Sequence, residues 1–295
     1  MPEIPTFDNL TLDPAGPPGN AWGLFGRDND LGMLNLLTPE TVRRAAAEEI
    51  RDGVRFSLDL PLDRIKSPSF GRKPFSREFV NRAPRSVNDD VLVFNTQTSS
   101  QWDGFRHYAW VKKGGIVGRG ILIDYATWAT KHSIPLTPFT TSTIPLSSLQ
   151  QIIQETNLHP RPGDILFIRT GFTAAYDALS ASEETALAQR PTADFCGVEN
   201  GEQTLRWLWE NQFAAIASDS PSFEPSPILH KNAPLDHTLH QWCLAGWGMP
   251  IGEYFDLEDL ATYCREKGRW SFFLSSVPLN VPGGVASPPN AVAIL

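Results

Sequence analysis

The chain has 295 residues, of which 41% are hydrophobic, enough for one large core, and no linker-like stretch divides it. A net charge of −8 and a pI near 5.3 exclude the basic patch that nucleic acid or an anionic membrane surface recruits, so the expected partner is a small-molecule substrate. Cys196, Cys243 and Cys264 lack paired spacing, no run approaches 18 apolar residues, and the start Met1-Pro2-Glu3-Ile4-Pro5 lacks a signal pattern; the expectation is a reduced, cytoplasmic protein without membrane spans.

Residues 1–20, rich in proline, glycine and aspartate, read as an extended N-terminal arm that frays or lies on a neighbouring surface, and residues 21–295 as a single domain. Thr38-Pro39-Glu40 is a helix start, with Thr38 as N-cap and Pro39 at the first helical position; good helix formers follow from Thr41 to Arg51, and Gly53 stops them. Phe56 to Leu62 alternates like a strand, whereas Lys66 to Asn88 is polar, basic and broken by prolines and reads as a long surface loop.

The densest chemistry follows the apolar run Val91-Leu92-Val93-Phe94, read as a buried strand. It is the stretch Gln97-Thr98-Ser99-Ser100-Gln101-Trp102-Asp103-Gly104-Phe105-Arg106-His107. A loop leaving a buried strand is where reactive groups are held on fixed backbone. Asp103 and His107, four apart, can converge on one volume, as an acid that orients a base or binds a cation beside the side chain that titrates nearest neutrality. The plain alternative is a local ion pair. Gln97, Gln101, Ser100, Trp102 and Arg106 are candidate substrate-binding residues around them.

Further along, Gly114 to Gly120 fits neither common phosphate-loop spacing and reads as a turn before the strand Ile121 to Asp124. A helix is expected over Leu146 to Glu155. Arg161-Pro162-Gly163-Asp164 is a turn into the strand Ile165 to Arg169. Ala181 to Gln189 and Gly201 to Gln212 read as helices, the second with Leu205, Leu208 and Trp209 on its packed face. Phe213 to Ala217 is a short buried strand ending in Ser218-Asp219-Ser220-Pro221-Ser222. Leu235 to Ala245 has a helical pattern with His237 and His240 on one face, and Gly248 to Glu253 leads into a strand ending at an acid. A helix over Leu257 to Glu266 and strands over Trp270 to Pro278 and Ala291 to Leu295 complete the chain.

Positions 97, 101, 103 and 107 resemble, in spacing, the His-x-Gly-Thr-His-x-Asp-x-Pro-x-His signature of the cyclase-like hydrolases that include kynurenine formamidase and isatin hydrolase. In that family the first two histidines and the aspartate bind a divalent metal, and the last histidine is the acid/base. Asp103 and His107 match; Gln97 and Gln101 replace the two histidines, and Ser99-Ser100 replaces Gly-Thr. His240 and Glu253 match the remaining ligand positions, with His237 as the competitor one turn earlier, and Asp219 to Ser222 resembles a pocket-lining segment, adding Ser222 to the substrate-binding set. The resemblance implies an α+β fold, a mixed, strongly curved β-structure flanked by helices with the site at strand ends, and a dimer or tetramer. The implied metal set is Asp103, His240 and Glu253, with Gln97 and Gln101 as weak ligands. Amide oxygens are poor substitutes for imidazole toward zinc, so this set suits manganese or magnesium better than zinc, or no metal.

The implied activity is hydrolysis of an amide, lactam or lactone bond in an aromatic or cyclic metabolite, with His107 as general acid/base. The alternative is a metal-free cyclase, dehydratase or isomerase of secondary metabolism in the same pocket. A non-catalytic binding protein is the third reading.

Overall fold

The Thr38 hydroxyl accepts from the Thr41 amide and opens α1 (Pro39–Glu49), as the cap spacing predicts. There follow β1 (Arg55–Ser57), β2 (Ser76–Asn81), β3 (Asn88–Val93), β4 (Gln101–Asp103), α2 (His107–Lys112), β5 (Ile116–Asp124), α3 (Tyr125–Lys131), β6 (Thr143–Ile144) and α4 (Leu146–Glu155). The second half holds β7 (Ile165–Arg169), α5 (Phe172–Asp177), α6 (Ala181–Ala188), β8 (Gly197–Val198), α7 (Glu202–Glu210), β9 (Ala215–Ser218), β10 (Ile251–Glu253), α8 (Glu258–Lys267), β11 (Ser271–Ser276), β12 (Ala286–Ser287) and β13 (Ala291–Ile294). This computed structural model describes residues 2–104, 107–228 and 235–295, save the side chains of His107, Tyr108 and Leu235.

Among these residues one curved, nine-stranded mixed sheet runs in the order β1-β13-β11-β5-β7-β9-β10-β4-β12. Its centre, β5, β7, β9 and β10, is parallel. Ile121 to Ile123, Ile165 to Ile168 and Ala215 to Ala217 are buried throughout, as parallel strands covered on both faces require. Helices supply that cover: α1 packs on β5 and β11, α3 on β7, and α4 on β5. The carboxyl ends of β7, β9 and β10 therefore point one way, the end at which open parallel sheets carry ligands.

Several elements differ from the sequence expectation. The run Val91 to Val93 is not buried: β3 is exposed along its whole length and pairs only with β2, which lies inside the expected 66–88 loop. No third strand joins this ribbon among the described residues, so an apolar composition did not translate into burial. The expected strand over 56–62 is shorter, because after Ser57 the chain leaves the ladder and Asp59 turns back to accept the Ala291 amide. Of the glycines before Ile121, Gly114 and Gly115 form the expected turn, whereas Gly118 and Gly120 belong to β5, which begins at Ile116 and accommodates the Phe272 ring against Gly120. Leu235 to Ala245 is not one helix; a 3-10 turn at Leu235–His237 gives way to a π-helical segment at Gln241–Trp247, a distortion frequent at functional sites.

The N-terminal arm neither frays nor stays extended. Phe7 is buried and stacks on Trp242, Asp8 pairs with Arg206 of α7, and the Trp209 indole donates to the Pro5 carbonyl. The apolar and charged contacts of residues 5–8 thus fasten the arm to its own chain. Among the described residues, no helix is long and apolar enough to cross a membrane.

Candidate active site

Three residues of β4 divide between two environments because strand side chains alternate. Trp102 points into the core against Phe167 and Phe255, with its indole donating to the Ser276 hydroxyl. Gln101 and Asp103 take the opposite face. In the antiparallel register Gln101 faces Glu253 and Trp102 faces Gly252. A Cβ at Gly252 would come within 2.6 Å of the Ala217 methyl and 2.9 Å of the Trp102 ring, so the missing side chain lets β9, β10 and β4 close over the indole. That packing sets Glu253 beside Gln101.

The amide of Gln101 donates to Glu253 Oε2 at 2.7 Å, and that of Gln97 to Asp103 Oδ1 at 2.9 Å. His240, at the entry to the π-helical segment, places Nε2 3.1 Å from Glu253 Oε1. Its backbone amide donates to Glu224 Oε2 at 2.9 Å, and Nδ1 lies 3.3 Å from the same oxygen. Ligand atoms of Asp103, His240 and Glu253 all fall within 4.8 Å of one another. The sequence choice between two histidines is resolved in space: His237 stacks on Trp242, while His240 joins the acids.

Electrostatics here are unbalanced. Asp103, Glu224 and Glu253 are buried, and among the described residues His240 is the basic group in contact with Glu224 and Glu253. Burial, followed by repulsion from Glu253, pushes the Asp103 carboxyl up to about 7, against the opposing pull of His240 and the Gln97 hydrogen bond. Burial disfavours the His240 cation, yet Glu224 and Glu253 overcome it and raise its pKa well above the usual imidazole range.

The cluster forms one side of a cavity of about 750 Å³, onto which Gln97, Asp103, His240, Glu253 and Ser222 open. Ser222 Oγ is buried without a hydrogen-bond partner, consistent with its assignment to the pocket wall. Three assignments are corrected by the geometry. Trp102 is core rather than pocket. Ser100 is a fastener: its hydroxyl donates to the Tyr254 carbonyl at 2.6 Å and accepts the Leu60 amide at 2.8 Å. Gln101 lies behind Glu253 and acts on it, not on the cavity surface. Arg106 and the His107 side chain lie outside the described residues. In the segment after β9, Asp219 holds the amides of Thr170 and Gly171 ahead of α5, which leaves Pro221 and Ser222 to line the cavity.

A mixed, curved sheet with a buried acid–histidine cluster at the carboxyl end of its parallel strands is the frame of an α+β enzyme. The comparisons place it more closely. A family model described as "Putative cyclase" matches residues 35–225, and the chain belongs to that family. A crystal structure described as a novel cyclase is similar at 28% identity over 94% of this chain and 99% of that one, with a TM-score of 0.76. Isatin hydrolase A from Ralstonia solanacearum shares the fold at 16% identity, 81% and 91% coverage and a TM-score of 0.59. A predicted metal-dependent hydrolase from Bacillus stearothermophilus does so at 17% identity, 81% and 97% coverage and 0.52. Comparison with curated proteins returned no match.

The residues present fit a divalent cation by charge and by convergence. Three buried carboxylates against one imidazole leave negative charge that a cation or a proton must neutralise, since unpaired buried charge is costly. Gln101 Oε1, buried and without a partner, is a further neutral oxygen donor at the cluster. With one imidazole and several oxygens among the described residues, the set is of the kind that holds manganese or magnesium, and Gln97 and Gln101 offer amides where imidazoles would make zinc binding tight.

Proposed function

We propose that this cyclase-family chain hydrolyses an amide, lactam or lactone bond of a small aromatic or cyclic metabolite in the 750 Å³ cavity. The observation that carries the reading is the buried Asp103–His240–Glu253 cluster opening on that cavity. Asp103, Glu253 and His240 would hold the cation, which when bound supplies polarisation of the scissile carbonyl and acidification of water. Glu224 faces His240 Nδ1 and so directs Nε2 at the cluster. His107, the first residue of α2 and four past Asp103, takes a proton from the attacking water and returns it to the leaving nitrogen or oxygen. Asp103, where it does not hold the cation, orients His107. Gln97, hydrogen-bonded to Asp103, sets the direction of that carboxylate.

The test is a panel of isatin, formanilide, phthalide and dihydrocoumarin, assayed with manganese by appearance of the ring-opened acid or free amine. Turnover of at least one is expected; none across the panel would sink the hydrolase reading. A second reading, a metal-free cyclase, dehydratase or isomerase, is favoured by one observation: the amides of Gln97 and Gln101 already donate to Asp103 and Glu253. Catalysis that survives chelation without producing acid would select it.

The family-type association of copies has support in the β2–β3 ribbon. Phe79 is 63% exposed, and Val91, Leu92 and Val93 are exposed with it. A two-stranded hairpin alone is marginal in water, so we propose that a second copy covers this one. Light scattering at micromolar concentration is expected to show a dimer or tetramer that Phe79→Asp weakens; a monomeric wild type would end this proposal.

A further inference from the structure

The cavity has a positively charged wall as well as an acidic one. Arg72 and Arg190 both line it, and among the described residues neither makes an ion pair with a carboxylate, although Asp103 acts on Arg72 and Asp194 on Arg190 through space. Each guanidinium is instead held in place by neutral groups. An Arg72 guanidinium nitrogen donates to the Gln97 carbonyl, and its guanidinium lies 4.8 Å from the centre of the Phe70 ring. Arg190 donates to the carbonyls of Leu187, Phe139 and Asp194 and sits 5.4 Å from the centre of the Phe195 ring. Phe70 and Phe195 are themselves 6.0 Å apart, so the two arginine–ring pairs adjoin, with Phe70 on the cavity and Phe195 buried behind it.

Arginines ordinarily end on carboxylates, and a planar fork fixed by carbonyls and aromatic faces loses little freedom when it binds one. Two such forks on the cavity that contains Asp103 give its lining cationic donors as well as acids. A neutral ligand would leave those donors unused, whereas an anionic one would meet the arginines and be turned away from the acids.

We propose that Arg72 and Arg190 form a carboxylate-recognition subsite, and that the substrate is a small aromatic acid whose carboxylate lies away from the scissile carbonyl. The partly exposed Phe70 ring provides the apolar face for the substrate's ring. Bound this way, the substrate has its anionic end on the arginine wall and its reactive end at Asp103. The inference deepens the hydrolase reading by naming a substrate class, yet its test needs no turnover.

Benzoate and benzamide are the probes, titrated by ligand-observed NMR into the wild type, Arg72→Met, Arg72→Lys and Arg190→Met, both manganese-loaded and chelator-treated. Benzoate is expected to bind about tenfold tighter than benzamide, the usual worth of a charge-assisted contact. Arg72→Met should bring the ratio of benzoate to benzamide affinity to about one, and Arg72→Lys should retain part of the preference. Arg190 also braces three carbonyls, so if Arg190→Met loses its circular dichroism signature the Arg72 pair carries the test. Equal binding of the two probes by the wild type overturns the proposal. So does a benzoate preference that Arg72→Met leaves intact, including one that appears only with manganese and therefore reports the cation. A benzoate preference with an inactive substrate panel would sink hydrolysis alone.

Discussion

Replacing Gln97 and Gln101 together by histidine is expected to turn an oxygen-rich site into a tight zinc site. Both positions act on the cluster: Gln97 reaches Asp103 and Gln101 reaches Glu253, so imidazoles there would arrive beside Asp103, His240 and Glu253. Structural zinc sites with four ligands bind with about 10–16 kcal/mol, or roughly 3 kcal/mol per ligand, so two added ligands should tighten zinc by at least about a thousandfold. The wild type should leave gel filtration without stoichiometric zinc, lose hydrolysis on chelation and recover it with manganese. The double variant should retain one zinc per chain by elemental analysis. A wild type that itself carries one zinc through purification, or a double variant with no gain, would show that the donor chemistry has been misjudged.

Loss of the proton-transfer pair should have the larger effect on catalysis. His107→Ala is expected to lower turnover of whichever panel substrate the wild type accepts by about a hundredfold or more, the usual contribution of general acid/base catalysis. Asp103→Asn should cost at least as much, because it removes the carboxylate that holds the cation or orients His107. Folding should survive the change at Asp103, which lies outside the apolar core formed by the described residues. An enzyme that keeps full activity without His107 would require another residue to move the proton.

Asp103 was legible from the signature spacing, and His240 and Glu253 from their resemblance to the family's remaining ligand positions; their common face was not, because residues 101–103 read as loop and form a strand only by pairing with β10. The parallel core strands were legible for a related reason, since Ile165 to Ile168 and its neighbours are apolar without interruption. The Val91 to Val93 run misled because apolarity signals burial only when a second layer is present, and that depends on the rest of the fold. Glu224 had no local signal. It lies sixteen positions before His240, and only the tertiary turn through Ser226 and the 3-10 segment brings it behind the imidazole. What sets Arg72 and Arg190 apart is that carbonyls and aromatic rings, rather than ion pairs, hold both guanidiniums on one cavity, a property of three-dimensional neighbourhood rather than of pattern.

The three residues of β4 answer to different demands. Trp102, wedged over Gly252, secures the sheet, while Gln101 and Asp103 on the reverse side touch nothing that the core depends on. Ligand chemistry and thermal robustness are therefore separable by single substitutions in one short strand: Gln101→His should melt near the wild-type temperature while altering ion preference, and Trp102→Ala should do the reverse. A lineage built on such a strand can exchange one metal for another, or give up metal, without first having to re-engineer its architecture.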